Sequence, residues 1–192
     1  MFPIPREVDL VVAEAGIGGQ GDATAALGPC LGVLTSVGLD HQQVLGSSLQ
    51  EIAAQKVGAW RAGSRAVLGT TQPALRRPLR RMLEARGVRV LALDEDLRTS
   101  HSKGLLRLEG PLGGLRDIPV PLAGSHQLRN AALASAAALW LGRITTIVAG
   151  VVCTHAVYCL TLAFHDGAGL ERLWADSGVE WSPGGYIARP VM

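Results

Sequence analysis

Hydrophobic positions fall into two alternating rhythms along the first 143 residues of this chain. Short Val/Leu/Ala runs bounded by glycine or polar residues occupy 8–13, 31–37, 65–69 and 88–93, and runs of that length and bounding predict strands. Between and after them, 47–60, 73–86 and 126–141 carry helical patterns. In the first, Leu49, Ile52, Ala53 and Val57 recur at helical spacing. Ser48-Leu49-Gln50-Glu51 is a capping box, in which a hydroxyl and a carboxylate satisfy free N–H groups. The second ends at Gly87, a residue suited to a C-cap. Pro78 lies inside it and predicts a kink or a shorter helix over 78–86. The pattern predicts an α/β domain, a mostly parallel sheet flanked by helices, with 8–13 paired in parallel with 31–37.

Residues 105–124 break the rhythm. Leu106-Arg107-Leu108-Glu109 alternates, Gly113-Gly114 turns, and Ile118-Pro119-Val120-Pro121-Leu122 resumes an extended run. This predicts an antiparallel hairpin at the edge of the sheet. After Gly142 the character changes again. Residues 144–164 carry no charge, a length that would permit a membrane helix. Thr145, Thr146, Gly150, Thr154, His155 and Thr161 argue against one, and no membrane association is expected. The chain thus divides into a domain at 1–143 and a divergent tail at 144–192. The tail is expected to pack poorly, to end in loop, and to be cut first by proteases, between about 143 and 170.

Composition narrows the classes. Hydrophobic residues are 48% and charged residues 18%, which suits a globular chain. A net charge of +2 is too small to argue for nucleic acid. Arg76, Arg77, Arg80, Arg81 and Arg86 read as a solvated helix face, because no aromatics interleave. Cys30, Cys153 and Cys159 are odd in number and lack metal-ligand spacing, which favours a reducing, cytoplasmic compartment. The first residues show no secretory signal. Only Lys56 and Lys103 are lysines, against 16 arginines. A lysine kept on a helix in such a chain is a candidate for amine chemistry that arginine cannot supply.

Glu14 ends the first apolar run and opens the turn Ala15-Gly16-Ile17-Gly18-Gly19. His41 follows the second run in Gly38-Leu39-Asp40-His41, and Lys56 lies on the next helix. Open α/β sheets bind ligands past the carboxyl ends of their strands. A carboxylate and an imidazole there suit a divalent cation or a proton-transfer site. Gly16, Gly18 and Gly21 fit a dinucleotide fingerprint, but Gly28-Pro29 soon breaks any following helix and no acidic residue closes a second strand.

The same residues resemble the folylpolyglutamate synthetase and dihydrofolate synthetase family, relatives of the Mur ligases. The matching elements are Glu14-Ala15-Gly16-Ile17-Gly18-Gly19-Gln20-Gly21-Asp22-Ala23-Thr24, Gly38-Leu39-Asp40-His41 with Leu45-Gly46, Lys56-Val57-Gly58 and His126-Gln127-Leu128-Arg129-Asn130-Ala131. In order, they cover roughly 6–142. The resemblance implies the central, ATP-binding domain of an ATP-dependent ligase acting as a monomer. ATP phosphorylates a folate or pteroate carboxylate, and the amine of L-glutamate attacks the acyl phosphate. It implies that Glu14 and His41 bind Mg2+. Lys56 would be carbamylated and ligate a second cation, which gives it a catalytic role. Gly21, Asp22 and Ala23 would bind the pterin substrate, and Asn130, with His126, the nucleotide.

Departures from the family qualify this. Its Gly-x-x-Gly-Lys-Ser/Thr phosphate loop has no counterpart before Glu14, and its glutamate-binding domain has none either. Trp181-Ser182-Pro183-Gly184-Gly185 echoes a linker motif, with Gly185 where arginine would stand. The expectation is therefore a ligase domain inactive by itself, or else a non-catalytic folate-binding or interaction protein.

Overall fold

The structure, a computed structural model, describes residues 11–70, 72–120, 124–142, 160–164, 179–181 and 188–190. Strands β1 (Val11–Glu14), β2 (Leu31–Leu34), β3 (Arg65–Leu68) and β4 (Arg89–Ala92) lie where the apolar runs predict them. Positions 8–10 of the first run are outside the described residues. β2, β3 and β4 pair in parallel, with Leu31, Arg65 and Arg89 in register. Short helix α1 (Gln42–Leu45) precedes α2 (Leu49–Val57), followed by α3 (Pro73–Glu84) and α4 (Ser125–Leu141).

Alternation along the strands gives the sheet two apolar faces. Leu34, Ala66, Leu68, Val90 and Ala92 share one cluster with α2 and α3, which contribute Ile52, Val57, Leu75, Leu79 and Leu83. Val33, Val67 and Leu91 share the other with Ala132, Leu133 and Ala136 of α4. A sheet covered on both faces has near-continuous apolar runs, which is why these strands were readable. Alanines let α4 approach closely. At Gly69, a Cβ would lie 2.5 Å from a methyl of Leu133 and 2.8 Å from the Thr35 carbonyl.

Four expectations need correction. The runs 8–13 and 31–37 do not pair with each other. β8 (Leu160–Phe164), from the segment read as a separate tail, lies between β1 and β2 and is antiparallel to both. β1 and β2 still run in the same direction. A strand from beyond the boundary at 143 thus pairs within the main sheet. The second correction concerns the hairpin. β6 (Leu105–Gly110) and β7 (Gly113–Pro119) form it, but with β5 (Arg98–Ser102) they make a sheet of their own rather than an edge of the main one. Leu106, Leu108 and Ile118 pack toward α4. All five residues of β5 are exposed, so it leaves no hydrophobic pattern.

Pro78 neither shortens nor ends α3, which runs on from Pro73 to Glu84. A proline forfeits one intrahelical bond, and buried Leu75, Leu79 and Leu83 hold the helix on both sides of it. Finally, β9 (Val179–Trp181) and β10 (Ala188–Pro190) pair antiparallel where loop was expected. The rest of the 144–192 expectation lies outside the described residues.

The capping box of α2 forms as read. Glu51 N–H donates to Ser48 Oγ at 3.2 Å, and the Glu51 carboxylate accepts from the N–H groups of Ser48 and Ser47 at 3.0 and 2.8 Å. The Ser48 backbone, then its hydroxyl, then the Ser47 backbone hold the Glu51 carboxyl below its usual pKa. A carboxyl whose folded pKa is depressed contributes stability above its unfolded value, about 4.3, and that stability is lost as pH falls through the folded value. Ser48→Ala is expected to cost about 1 kcal/mol. It should also flatten the acid limb of the stability curve below about pH 4.3. Thermal melts of both proteins between pH 3 and 7 check this, and parallel acid limbs would refute it.

Candidate active site at the carboxyl edge of the sheet

β1, β2, β3 and β4 run in one direction, so their carboxyl ends share one edge. Glu14 is the last residue of β1 and is half-buried there. The glycine turn that follows is shaped by Asp22. Its Oδ2 accepts from the N–H groups of Gly16 at 2.9 Å and Ile17 at 3.1 Å. Its Oδ1 accepts from Thr24 N–H at 2.9 Å and Thr24 Oγ1 at 2.6 Å. Asp22 thereby caps the 3-10 helix Ala23–Leu27.

The turn is wedged against two other elements. Gly18, at φ 73°, faces Leu45 of α1, where a Cβ would come within 2.7 Å of a methyl group. Gly19 faces the end of α2, where a Cβ would lie 2.3 Å from the Lys56 carbonyl oxygen. Gln20 N–H donates to the Gln55 carbonyl at 2.9 Å. Three chain segments carrying Glu14, His41 and Lys56 thus meet around one glycine turn.

His41 is exposed and left-handed, with φ 52°. Histidine is among the residues enriched in that region, which is uncommon for side chains other than glycine. Its N–H donates to Asp40 Oδ1 at 2.8 Å, and its Nε2 lies 3.6 Å from Asp40 Oδ2. Lys56, in the last turn of α2, is 8% exposed. A lysine is seldom so buried. Among the described residues, no three His, Cys, Asp or Glu side chains gather closely enough to hold a metal ion. Mg2+ is commonly held by one or two carboxylates and completes its octahedron with water and phosphate oxygens. A site made of one carboxylate and one imidazole would be of that partial kind rather than a closed protein cage.

α4 brings the other candidates to the same edge. Arg129 donates to the Gly69 carbonyl and to Asp94, each at 3.0 Å, and so ties the start of α4 to the ends of β3 and β4. His126 is exposed, while half-buried Asn130 donates to Gln127 Oε1 at 3.5 Å. Two of the α3 arginines turn out not to be simply solvated. Arg80 pairs with Asp96 and Glu95, and Arg76 lies 3.7 Å from Asp94.

A cleft of about 540 Å³ opens beside the turn, lined by Gly21, Asp22, Ala23 and Gln20, with Gly58 and Arg61. Sequence reasoning singles out Gly21, Asp22 and Ala23 but misses Arg61 and Arg129. Arg61 donates to the carbonyls of Ala25 and Ala26 at 3.1 and 3.4 Å, holding the 3-10 helix against the end of α2. Its position three residues beyond Gly58 was the available signal. Among the described residues, no helix is long and apolar enough to cross a membrane.

No family model matches the chain. A dihydrofolate synthase/folylpolyglutamate synthase of Bacillus subtilis is 33% identical over 148 residues, covering 72% of this chain and 33% of the relative. A folylpolyglutamate synthase of Lacticaseibacillus casei is 35% identical over 134 residues, covering 67% and 31%. A solved FPGS–AMPPCP–folate complex superposes with a TM-score of 0.59 at 32% identity, covering 67% of this chain and 33% of that one. E. coli FolC in complex with DHPP and ADP gives 0.56 at 28% identity, covering 64% and 28%. The chain spans about a third of the length of the curated relatives it matches. Over the matched part of its length, roughly 70%, it belongs to the folylpolyglutamate and dihydrofolate synthase family.

Proposed function

We propose that this chain carries the cation- and substrate-binding part of an ATP-dependent carboxylate–amine ligase that adds L-glutamate to folate or pteroate. The substrate carboxylate attacks the terminal phosphorus of ATP, giving an acyl phosphate and ADP. The glutamate amine then attacks the acyl carbon, phosphate leaves, and the nitrogen loses its proton. The observation that carries this reading is the packing of the Glu14 turn between the His41 loop and the end of α2. Glu14 and His41 would hold Mg2+. Lys56, as a carbamate, would present hard oxygens to a second cation, which an ammonium would repel. Bound cations would neutralise phosphate charge. Gly21, Asp22 and Ala23 would line the folate cleft, and His126 and Asn130 the nucleotide side.

The amides of Gly16 and Ile17 in the glycine turn are already occupied by the Asp22 carboxylate. We therefore propose that the chain by itself does not turn over and needs a phosphate-holding element. The second reading is folate binding without chemistry, in the cleft lined by Gly21, Asp22 and Ala23. On either reading it acts as a monomer in the cytoplasm. Mn2+ binding, followed by water proton relaxation, is expected to weaken tenfold or more in Glu14→Gln, the loss of one charged ligand. Folate should bind with no ADP formed. Unchanged Mn2+ affinity would reject the cation site. ADP and a glutamyl-folate made by the chain alone would reject the claim that it is inactive.

A further inference from the structure

The glycine turn raises a question that its role beside the cleft does not answer: what holds it. A carboxylate has about four lone-pair positions, and Asp22 receives four donors: Gly16 N–H, Ile17 N–H, Thr24 N–H and Thr24 Oγ1. The first two belong to the segment directly after Glu14, and the last two to Thr24 of the 3-10 helix, seven to eight residues further on. Successive N–H groups turned to one side form an anion-binding concavity. Here the anion is supplied by the chain itself. A Cβ on Gly16 would lie only 3.6 Å from Asp22 Oδ2, so the carboxylate sits directly against the turn's backbone. Gly18 and Gly19 are jammed against Leu45 and Lys56.

We propose that Asp22 is a positioning residue: its carboxylate is the resident anion of the Gly16–Ile17 amides and fixes the direction in which Glu14 leaves β1. The Asp22 side chain thus acts on the site through this turn as well as lining the cleft beside Gly21 and Ala23. This role is independent of the ligase reading, since it concerns the geometry of Glu14 whatever Glu14 binds. It also accounts for the failed dinucleotide fingerprint. Gly16, Gly18 and Gly21 have the spacing of a phosphate turn, but the place a phosphate would take is filled.

The test is by NMR on the full chain, reading amide exchange at Gly16 and Ile17 and the side-chain carboxyl carbon resonance of Glu14. In Asp22→Gly, exchange at both amides is expected to rise about tenfold or more, the factor carried by a lost hydrogen bond to a charged group. The Glu14 resonance should shift. Added formate, a free carboxylate of the right shape, should restore both, which a general loss of stability would not allow. Thr24→Val removes only the hydroxyl donor. It keeps the Gly16 and Ile17 bonds, so protection there should persist, and it stands in if Asp22→Gly does not fold. The proposal is overturned if Asp22→Gly keeps its protection, if formate restores nothing, if Glu14 does not respond, or if Thr24→Val deprotects both amides. Loss of Mn2+ binding in the wild-type chain would sink the cation reading and leave each of these outcomes readable.

Discussion

Gly19→Ala is expected to destabilise the chain by about 2–3 kcal/mol and to push the glycine turn off the end of α2. The added Cβ would lie 2.3 Å from the carbonyl oxygen of Lys56 and 2.9 Å from that of Gln55. Both are helix backbone atoms and cannot turn aside as a side chain would. The hydrogen bond from Gln20 N–H to the Gln55 carbonyl must stretch when the turn retreats. Overpacking costs about 1–3 kcal/mol when neighbours can relax, and a backbone obstacle places this case at the upper end. Gly21→Ala is the control. Nothing lies within 4 Å of a Cβ there, so its effect should stay within about 0.5 kcal/mol. Thermal melts decide between them. Equal losses at the two glycines would mean that Gly19 is not wedged against the end of α2.

That contrast marks what the sequence can and cannot disclose. The elements that carry Glu14, His41 and Lys56 are legible because periodicity is enough to find strand ends and a capped helix. The reason for Gly19 is not legible, since it depends on a carbonyl 37 residues away along the chain. The arginines divide in the same way. A helix face rich in arginine looks solvated in one dimension, yet Arg76 and Arg80 reach the acidic turn Asp94-Glu95-Asp96 after β4. Pro78 reads as a break because local propensity favours one. Three buried leucines outweigh the lost bond, as tertiary packing commonly overrides propensity. β5 leaves no trace because an exposed strand of Arg, Thr, Ser and His has no apolar alternation to detect. Its evidence is pairing with β6 alone.

β8 is the largest departure from the sequence reading, and Leu162→Pro is the substitution that interrogates it. In the structure Leu162 pairs with Ala13 on one side and Gly32 on the other. A proline in a strand flanked on both sides removes a ladder donor and crowds a neighbour, at a cost of about 3 kcal/mol or more. For a domain of ordinary stability, about 5–15 kcal/mol, that is a large fraction of the whole. A marked fall in melting temperature is therefore expected, although the substitution lies in the segment that composition separates from the domain. Removal of 144–192 should do more. It would leave β1 and β2 one strand apart, with two edges open to pairing between molecules. Aggregation or loss of β1 should follow, visible by light scattering and by exchange at Val12 and Ala13. Within 143–170, the strand 160–164 is expected to be the protease-resistant part. If instead the chain shortened to 143 residues melts at the same temperature as the whole, β1 must be able to close directly onto β2. Such a result would restore the parallel pairing of 8–13 with 31–37 that the hydrophobic runs suggest, and β8 would be an occupant of the sheet that the fold does not require.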